Sequence, residues 1–279
     1  MKKVLPLVLA LAGCKLAAPS TGQVVEPGVA RAEFEVRARG TDIVKTTVIF
    51  PSDDAGAPLP GAHPGVVFVQ GGSVSTTRYE WQARALARAG YVVTIPEHPL
   101  ELAFFAIDTG DAAKSLLVTP PAGSLLEGHV DASKLVVMGH SLGSVVTVKL
   151  ALEGGFDAAI LEAGYPDTAD ISKLPTLGIP TLSLAGSSDC SAKLEQVQEG
   201  WATLPSPSAL VVLAGVTHYQ FTDSEAEDLK SGCTPSATLG DAHAQMEQAL
   251  ISFLSSALSD GTVGEPALRL VPDATVEIK

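Results

Sequence analysis

The chain has 279 residues, of which 46% are hydrophobic and 5% are aromatic, so one domain with a large buried core is the economical interpretation. Its formal net charge of −13 at pH 7 comes from acidic residues scattered along the chain, which argues against nucleic acid as a partner and favours a role in solubility. No Cys/His spacing supplies the four ligands of a structural metal site, and we expect neither a metal nor another cofactor.

The N-terminal segment has the pattern of an export signal. Two lysines precede the apolar run 4–11, which is too short to span a bilayer permanently. The stretch 11–14, Leu-Ala-Gly-Cys, also resembles a bacterial lipobox, in which the cysteine is lipidated and becomes the mature N-terminus. We therefore expect a signal peptide at 1–14 and an exported bacterial lipoprotein, anchored to a membrane only through the lipid on Cys14. A signal that is cut a few residues later is the alternative.

Residues 15–32 are rich in Ala, Pro, Gly, Ser and Thr, and this composition predicts a flexible tether. A globular domain is expected at 33–260. It begins with Glu33 to Arg39 and Ile43 to Phe50, where apolar and polar side chains alternate, and this alternation predicts an antiparallel hairpin that opens a β-sheet. Residues 261–279 fall outside the domain and either add a small strand or trail over the surface.

Strand and helix patterns alternate along the rest of the domain. Short apolar runs predict strands at Val66 to Val69, Tyr91 to Ile95, Leu135 to Met138, Ala158 to Leu161, Thr181 to Ala185 and Ala209 to Leu213. Helices are predicted at Thr77 to Arg88, about Phe104 to Leu117, Ser144 to Glu153, about Ala192 to Leu204 and Asp241 to Leu258. This order predicts an α/β fold with a mostly parallel sheet and helices on both faces. The connection that ends at Asp131 is too short to hold a large lid.

The segment Gly139-His140-Ser141-Leu142-Gly143 stands between a buried strand pattern and a helix pattern. A strand, a glycine-flanked serine and a helix, in this order, resemble the nucleophile elbow of α/β-hydrolases, in which small residues let the chain turn sharply and hold the serine hydroxyl above the sheet. A Gly-x-Ser-x-Gly match alone arises by chance about 0.1 times in a chain of this length. The flanking elements therefore carry the argument, and Ser141 is predicted to be the nucleophile.

A serine hydroxyl needs a base within hydrogen-bond reach and an acid that orients the base. In this fold their chain order is Ser, then Asp or Glu, then His. Asp189 and His218 follow two successive predicted strands, so both side chains are expected at the same sheet edge as Ser141. We predict Asp189 as the acid and His218 as the base. Glu162 is the alternative acid, and Asp189 has the alternative role of a helix N-cap.

The other histidines fit the role of base less well. His63 precedes a strand and so lies at the wrong end of the sheet, His129 lies in a connection and His243 in the last helix. His140, inside the motif, is expected to pack beside the serine. His218 is therefore preferred, with a surface loop histidine as its alternative interpretation.

Two backbone N–H groups are needed to stabilise the oxyanion of a tetrahedral intermediate. Leu142, the residue after the serine, is expected to supply one of them. The turn that follows the strand Val66 to Val69 is expected to supply the other, and glycine there lets the backbone approach a substrate closely. Of its two glycines we choose Gly72.

Two cysteines remain if Cys14 carries a lipid. An exported domain lies in a compartment that permits disulfides. A bond between Cys190 and Cys233 would close a loop of 43 residues, which is worth up to about 4 kcal/mol in the chain-entropy account. We expect this disulfide, with two buried free thiols as the alternative.

Motifs between Val66 and His218 resemble the dienelactone-hydrolase-like branch of the α/β-hydrolases, close to cutinase-type polyester hydrolases, chlorophyllase and platelet-activating-factor acetylhydrolase relatives. They are VVFVQGG, the following Trp81 and ALARAGYVV, VDASKLVVMGHSLGS, IPTLSLAGSSD and LAGVTH. The resemblance implies the α/β-hydrolase fold. It places Ser141, Asp189 and His218 on the family's nucleophile, acid and base, and Leu142 and Gly72 on its oxyanion donors.

The same resemblance has two further implications. Tyr165 falls where polyester hydrolases place a tryptophan, which implies contact with substrate, but these enzymes usually carry an aromatic residue where Gly72 stands. The segments around Cys190 and Cys233 resemble relatives in which a disulfide joins the loop of the acid to the loop after the histidine.

The implied activity is that of a serine carboxylester hydrolase that forms an acyl-enzyme with small-molecule esters of short to medium length. A lipid-anchored binding protein without turnover, or an acyltransferase or peptidase that uses the same site, is the alternative, because fold alone does not fix function.

Overall fold

A computed structural model describes residues 21–38, 43–98 and 106–279 of the chain. The predicted signal peptide at 1–14, with Cys14, lies outside the described residues, as do the first residues of the predicted tether.

The described residues form ten strands and seven α-helices. The strands are β1 (Gln23–Glu26), β2 (Val29–Arg37), β3 (Ile43–Pro51), β4 (His63–Val69), β5 (Val92–Pro96), β6 (Val130–His140), β7 (Ala158–Glu162), β8 (Thr181–Gly186), β9 (Ser208–Leu213) and β10 (Ala274–Ile278). The helices are α1 (Glu80–Arg88), α2 (Ala106–Val118), α3 (Leu142–Glu153), α4 (Leu194–Thr203), α5 (Ala226–Ser231), α6 (Leu239–Asp260) and α7 (Glu265–Leu268). Short 3-10 helices lie at Thr76–Tyr79, Thr168–Thr176 and His218–Phe221.

All ten strands belong to one sheet in the order β1-β2-β3-β5-β4-β6-β7-β8-β9-β10. The strands from β5 to β9 are parallel, and the pairs at both edges are antiparallel. The predicted α/β fold, with its mostly parallel sheet and N-terminal antiparallel hairpin, is confirmed. Because β4 lies between β5 and β6, the strand order reverses beside β4 and opens a crevice at the carboxyl ends of the strands.

The centre of the sheet is covered on both faces. Val66, Val67, Phe68 and Val69 of β4 are each at most 1% exposed. Successive side chains of a strand point to opposite faces, so burial of all four requires cover on both sides. Helices α1 and α6 contact each other, as do α2 and α3, and these pairs pack on the sheet. The uninterrupted apolar runs in the sequence reflect this double burial.

The N-terminal part of the sheet begins earlier than predicted. Strand β1 pairs with β2, and both cover residues that were expected to lie in the flexible tether. Val29 and Ala30 are fully buried, so these small apolar residues contribute to the core. The interpretation as a tether is wrong for this part because short apolar residues next to a glycine turn at Gly28 form a hairpin.

The C-terminal residues also join the sheet. Strand β10 runs antiparallel to β9, from the pair Ala274 and Leu213 to the pair Ile278 and Ala209. Of the two possibilities left open for residues 261–279, the added strand is the one observed, and the sheet extends beyond the expected domain end at 260. Leu268 to Leu270 do not form a strand, because Leu268 ends helix α7.

The described part of the connection between β5 and β6 adds no large lid. Among the described residues between β5 and β6, the one helix is α2. The helix predicted from Thr77 starts as a 3-10 helix and becomes α-helical at Glu80.

In the described ranges, we find no helix whose length and apolar character would let it cross a membrane.

Candidate active site

Ser141 lies in a sharp turn between β6 and α3. Its backbone has φ 55° and ψ −122°, a region that costs a non-glycine residue free energy. The Ser141 N–H donates to the carbonyl of Glu162 over 2.8 Å, and the Ser144 N–H donates to the carbonyl of Ser141 over 2.9 Å. The turn is therefore fixed by the neighbouring strand β7 and by the start of helix α3.

The two glycines of the motif are required by close packing. A Cβ on Gly143 would lie 2.2 Å from the carbonyl oxygen of Val69, at the end of β4. A Cβ on Gly139 would lie 2.5 Å from the carbonyl oxygen of Gly143. No larger residue fits at either position without moving the backbone, so the sequence pattern is a direct consequence of how tightly the elbow packs.

His218 lies between Ser141 and Asp189. Its Nε2 is 3.0 Å from the Ser141 Oγ, and its Nδ1 is 2.8 Å from the Asp189 Oδ2. A carboxylate only accepts, so Nδ1 carries the proton and Nε2 is free to accept from the serine hydroxyl. The structure thus brings together the three residues that the sequence predicts as base, nucleophile and acid.

The Asp189 carboxylate is held in position from its other side. Its Oδ1 accepts from the backbone N–H groups of Ser191 at 2.7 Å and Ala192 at 2.8 Å. Asp189 is 7% exposed and His218 is 5% exposed, so water has little access to their hydrogen bond. Helix α4 starts at Leu194 with Lys193 as its N-cap, so the alternative role of Asp189 as a helix N-cap is wrong. Asp189 instead holds the turn before the helix with one carboxylate oxygen and contacts His218 with the other.

A buried chain of hydrogen bonds runs beneath these residues. The Gly71 N–H donates to the Tyr79 hydroxyl over 2.9 Å, and that hydroxyl lies 2.9 Å from Nδ1 of His140. Nε2 of His140 lies 3.1 Å from the carbonyl oxygen of His218. Since a carbonyl only accepts, Nε2 of His140 carries the proton and Nδ1 accepts from Tyr79. The glycine turn, the elbow and the His218 loop are thereby joined inside the protein.

His140 is neutral in this network. Burial, together with the nearby His218, holds the pKa of His140 well below its usual value. Burial also raises the pKa of the Tyr79 hydroxyl, so this group keeps its proton and can donate. A neutral ring 4.6 Å from the His218 ring, measured between centroids, adds no positive charge beside the base.

Glu162, the alternative acid, is close to the elbow but does not contact His218 among the described contacts. Its backbone carbonyl accepts from Ser141, while its side chain is fully buried. Burial raises the pKa of this carboxyl to about 8, and Gln82 beside it offsets only part of the effect. Glu162 is therefore protonated at neutral pH and cannot serve as the carboxylate that orients a base.

We expect Glu162→Gln to remove a pH dependence of stability. In the unfolded chain the carboxyl ionises near pH 4.5, whereas in the folded protein it keeps its proton up to about pH 8. The unfolded state binds fewer protons across this interval, so the free energy of unfolding falls as pH rises, by at most about 1.4 kcal/mol per pH unit. The stabilisation that the Glu162 carboxyl contributes to the folded protein is complete below pH 4.5 and is lost as pH approaches 8.

Urea unfolding at several pH values measures this effect. The difference in unfolding free energy between Glu162→Gln and the wild type should grow between pH 4.5 and 8. Parallel pH curves for the two proteins would show that the carboxyl is not buried in its protonated form.

The remaining histidines have other partners. His63 contacts the carbonyls of Gly90 and Leu59, and His129 contacts Leu59 as well, at the amino end of β4. His98 contacts Thr109, and His243 stacks on Trp81 with its ring 3.5 Å from the indole centroid. His218 is thus the one of the six histidines whose ring is hydrogen-bonded to Ser141.

The predicted disulfide between Cys190 and Cys233 is present, with a Cα–Cα distance of 6.0 Å. It joins the residue after Asp189 to the loop that follows His218. In that loop, the Asp228 carboxylate accepts from the Tyr219 N–H over 2.6 Å, and the Asp228 carbonyl accepts from the Cys233 N–H over 2.9 Å. The bond therefore ties the acid loop to the residues that hold the base.

We expect Cys233→Ser to lower the free energy of unfolding by about 4 kcal/mol in oxidising buffer, from the entropy of a closed loop of 43 residues. With a reductant that opens the bond in the wild type, the wild type and the variant should unfold at similar urea concentrations. A difference that persists undiminished in reductant would assign the loss to packing of the buried Cys233 side chain.

The two expected oxyanion donors lie next to each other. Leu142 is the first residue of α3, and the first N–H groups of a helix have no partner within the helix. A Cβ on Gly72 would lie 2.7 Å from Cδ1 of Leu142, so the glycine turn after β4 touches the start of α3. The structure thus places the Gly72 turn beside the residue that follows Ser141.

A cavity of about 180 Å³ opens beside Ser141 and is lined in part by Tyr165 and His218. Tyr165, which is expected to contact substrate, thus lines the cavity at the serine. Among the described residues, no group of three or more His, Cys, Asp or Glu side chains is placed to hold a metal ion.

Sequence reasoning missed Tyr79. Its hydroxyl joins Gly71 to His140, which is 61 residues away in the chain, so no local pattern reveals the contact. The available signal is a tyrosine on the buried side of a helix, since a buried hydroxyl requires a partner.

A family model described as the alpha/beta hydrolase family matches residues 65–228, more than half of the chain. The match includes Ser141, Asp189 and His218, together with strands β5 to β9. No curated protein matches the chain. The strand order and the nucleophile elbow agree with this match. The chain therefore belongs to the alpha/beta hydrolase family.

Proposed function

We propose that this protein is a serine carboxylester hydrolase that works through an acyl-enzyme. The observation that carries the proposal is the continuous set of hydrogen bonds from the Ser141 hydroxyl through His218 to Asp189. Membership of the alpha/beta hydrolase family supports hydrolysis as the reaction class. The motifs that resemble the dienelactone-hydrolase-like branch support an ester as the substrate.

In the first half of the reaction, Nε2 of His218 takes the proton from the Ser141 hydroxyl as Oγ attacks the ester carbonyl carbon. The carbonyl oxygen becomes an oxyanion, which the N–H groups of Leu142 and Gly72 stabilise. His218 then gives its proton to the leaving alkoxide, the bond to the alcohol breaks, and the acyl group remains on Ser141. Asp189 stabilises the imidazolium that exists between these two proton transfers.

In the second half, water replaces the alcohol. His218 takes a proton from the water as its oxygen attacks the acyl-enzyme, and the second tetrahedral intermediate uses the same two N–H groups. His218 then returns the proton to the Ser141 Oγ, and the carboxylic acid product leaves. Water must therefore reach the acyl group, and the 51% exposure of Leu142 next to Ser141 supports this access.

The cavity at Ser141 is itself small. A glycine at position 72 leaves that side of the site without an aromatic ring, and the cavity at the serine measures about 180 Å³. Ligand pockets for drug-sized molecules span about 300–1,000 Å³. The serine cavity alone therefore fits the reacting ester group and a short substituent.

Partitioning of the acyl group tests the proposal. With acetate esters of different phenols, water and added hydroxylamine should compete for one shared acyl-enzyme, so the ratio of acetate to hydroxamate should not depend on the phenol. A ratio that changes with the phenol would indicate direct attack on the ester. Ester binding without any product would indicate a binding protein.

A further inference from the structure

A groove continues from the serine cavity along the surface. Leu142, Val145 and Tyr165 line both the serine cavity and a second cavity of about 550 Å³. This second cavity lies between the first turns of α3, the 3-10 helix Thr168–Thr176 and α4. We call it the side groove. Since the two cavities share three residues, a ligand held at Ser141 can extend into the side groove.

The side groove starts on the side of Ser141 that is away from the base. His218 lines the serine cavity but is not among the residues that line the side groove. In the proposed reaction, the alcohol oxygen has to lie against Nε2 of His218 to receive its proton. The alcohol is therefore directed toward His218, and the acyl chain is the part of the ester that points toward the side groove.

Part of the wall of the side groove is apolar. Leu142 is 51% exposed and Ile171 is 42% exposed, and both line the groove with Tyr165 and Val145. Large aliphatic side chains exposed in a groove that adjoins a reactive serine provide a surface that an aliphatic chain can cover. Burial of a methylene is worth about a fourfold change in an equilibrium constant, which makes chain length a sensitive probe.

The side groove also has an acidic part. Asp167 and Glu199 line it, and among the described residues its lining contains no lysine or arginine. Asp167 is paired with Lys149, so Glu199 is the carboxylate with the greater effect on a ligand charge. A chain that ends in a carboxylate would meet like charge here, whereas an uncharged chain would not.

Helix α4 fixes the floor of the side groove. A Cβ on Gly200 would lie 2.3 Å from Cβ of Tyr165 and 3.2 Å from Cδ of Pro166. The helix therefore approaches the segment after β7 so closely that only glycine fits at this position. This contact holds Tyr165 at the junction of the two cavities.

We propose that the side groove is an acyl-chain site, and that the protein acts on esters of uncharged, medium-length aliphatic acids in preference to acetate esters. The proposal rests on the proposed ester hydrolysis at Ser141. It adds the substrate class, and it assigns chain selection to Ile171 and Glu199.

The ratio of kcat/KM for p-nitrophenyl octanoate to that for p-nitrophenyl acetate tests the acyl-chain site. We expect a ratio of at least about ten in the wild type, since several methylenes become buried. Ile171→Asp, which places a charge on the apolar wall, should lower this ratio about tenfold. Ile43→Asp is the matched control, because Ile43 is also exposed, at 59%, and lies outside both cavities.

A second comparison does not depend on Ile171. The p-nitrophenyl monoester of octanedioic acid should react at least about tenfold more slowly than the octanoate, since its free carboxylate meets the like charge of Glu199 in the side groove. Glu199→Gln should reduce the difference in kcat/KM between the octanedioic monoester and the octanoate. It should leave the ratio of kcat/KM for octanoate to that for acetate unchanged.

The outcomes distinguish a failure of the acyl-chain site from a failure of the proposed ester hydrolysis at Ser141. Hydrolysis of both esters with the same ratio in the wild type and Ile171→Asp would overturn the acyl-chain site and leave the proposed function standing. An effect of Ile171→Asp on acetates of long alcohols, but not on octanoate, would overturn the acyl assignment. Failure to hydrolyse any ester would remove the proposed function itself.

Discussion

Replacement of Ser141 with alanine is expected to lower kcat for ester hydrolysis by at least about 10⁴-fold. The Ser141 Oγ lies 3.0 Å from Nε2 of His218, in a turn that holds it at the carboxyl edge of the sheet. Without this oxygen no acyl-enzyme can form, although the oxyanion donors and the cavity remain. Steady-state rates with a short aryl ester measure the loss, and substrate binding should change little.

Ser255→Ala is the matched control for this variant. Ser255 is exposed on helix α6, far along the chain from the elbow, and its replacement should leave kcat within about twofold, as for most surface substitutions. Turnover that survives in Ser141→Ala at the wild-type rate would show that another group attacks the ester.

Asp189→Asn is expected to lower kcat by about 10⁴-fold with a small effect on KM. The side-chain amide oxygen of this variant can still accept from the N–H groups of Ser191 and Ala192, so the loop keeps its shape. The amide nitrogen then faces Nδ1 of His218, which favours the ring tautomer with the proton on Nε2. That tautomer cannot accept the proton of Ser141, and the first step stops.

Glu162→Gln provides the comparison for Asp189→Asn. Both changes replace a carboxyl with an amide, but the Glu162 carboxyl is already protonated at neutral pH, with a pKa of about 8. We expect its kcat at pH 6.5 to stay within about tenfold of the wild type. A larger loss in Glu162→Gln than in Asp189→Asn would identify Glu162 as the acid and would contradict the assignment to Asp189.

The parallel core of the fold could be predicted because its signal is local. Each central strand contains a short apolar run bounded by turn residues, because burial on both faces leaves few polar positions within it. The edges carry a weaker signal. Strand β1 has only four residues, with a polar residue at each end, and the residues of β10 are exposed or partly buried, so neither strand differs much from a loop in composition.

The arrangement of the site was predictable to the extent that it follows from strand order. Ser141, Asp189 and His218 each come directly after a parallel strand, and such strands end at one edge of the sheet. The supporting contacts were not predictable. The Tyr79 hydroxyl and the buried Glu162 carboxyl acquire their roles from packing between segments far apart in the chain.

The disulfide and the side groove illustrate the same difference. Two cysteines in an expected exported domain leave one intramolecular pairing, so counting was sufficient for Cys190 and Cys233. The side groove depends on how closely α4 approaches Tyr165, and a single glycine in a helix gives no sign of what it touches.

Mass spectrometry of the protein after treatment with a fluorophosphonate tests the central claim most directly. Such reagents react with a serine whose hydroxyl is activated by a neighbouring base. We expect one adduct per molecule, on the peptide that contains Ser141. Protein that is unfolded in urea before the reagent is added should carry no adduct. A folded protein that remains unmodified, or that carries the adduct on another residue, would contradict the assignment of Ser141 as the nucleophile.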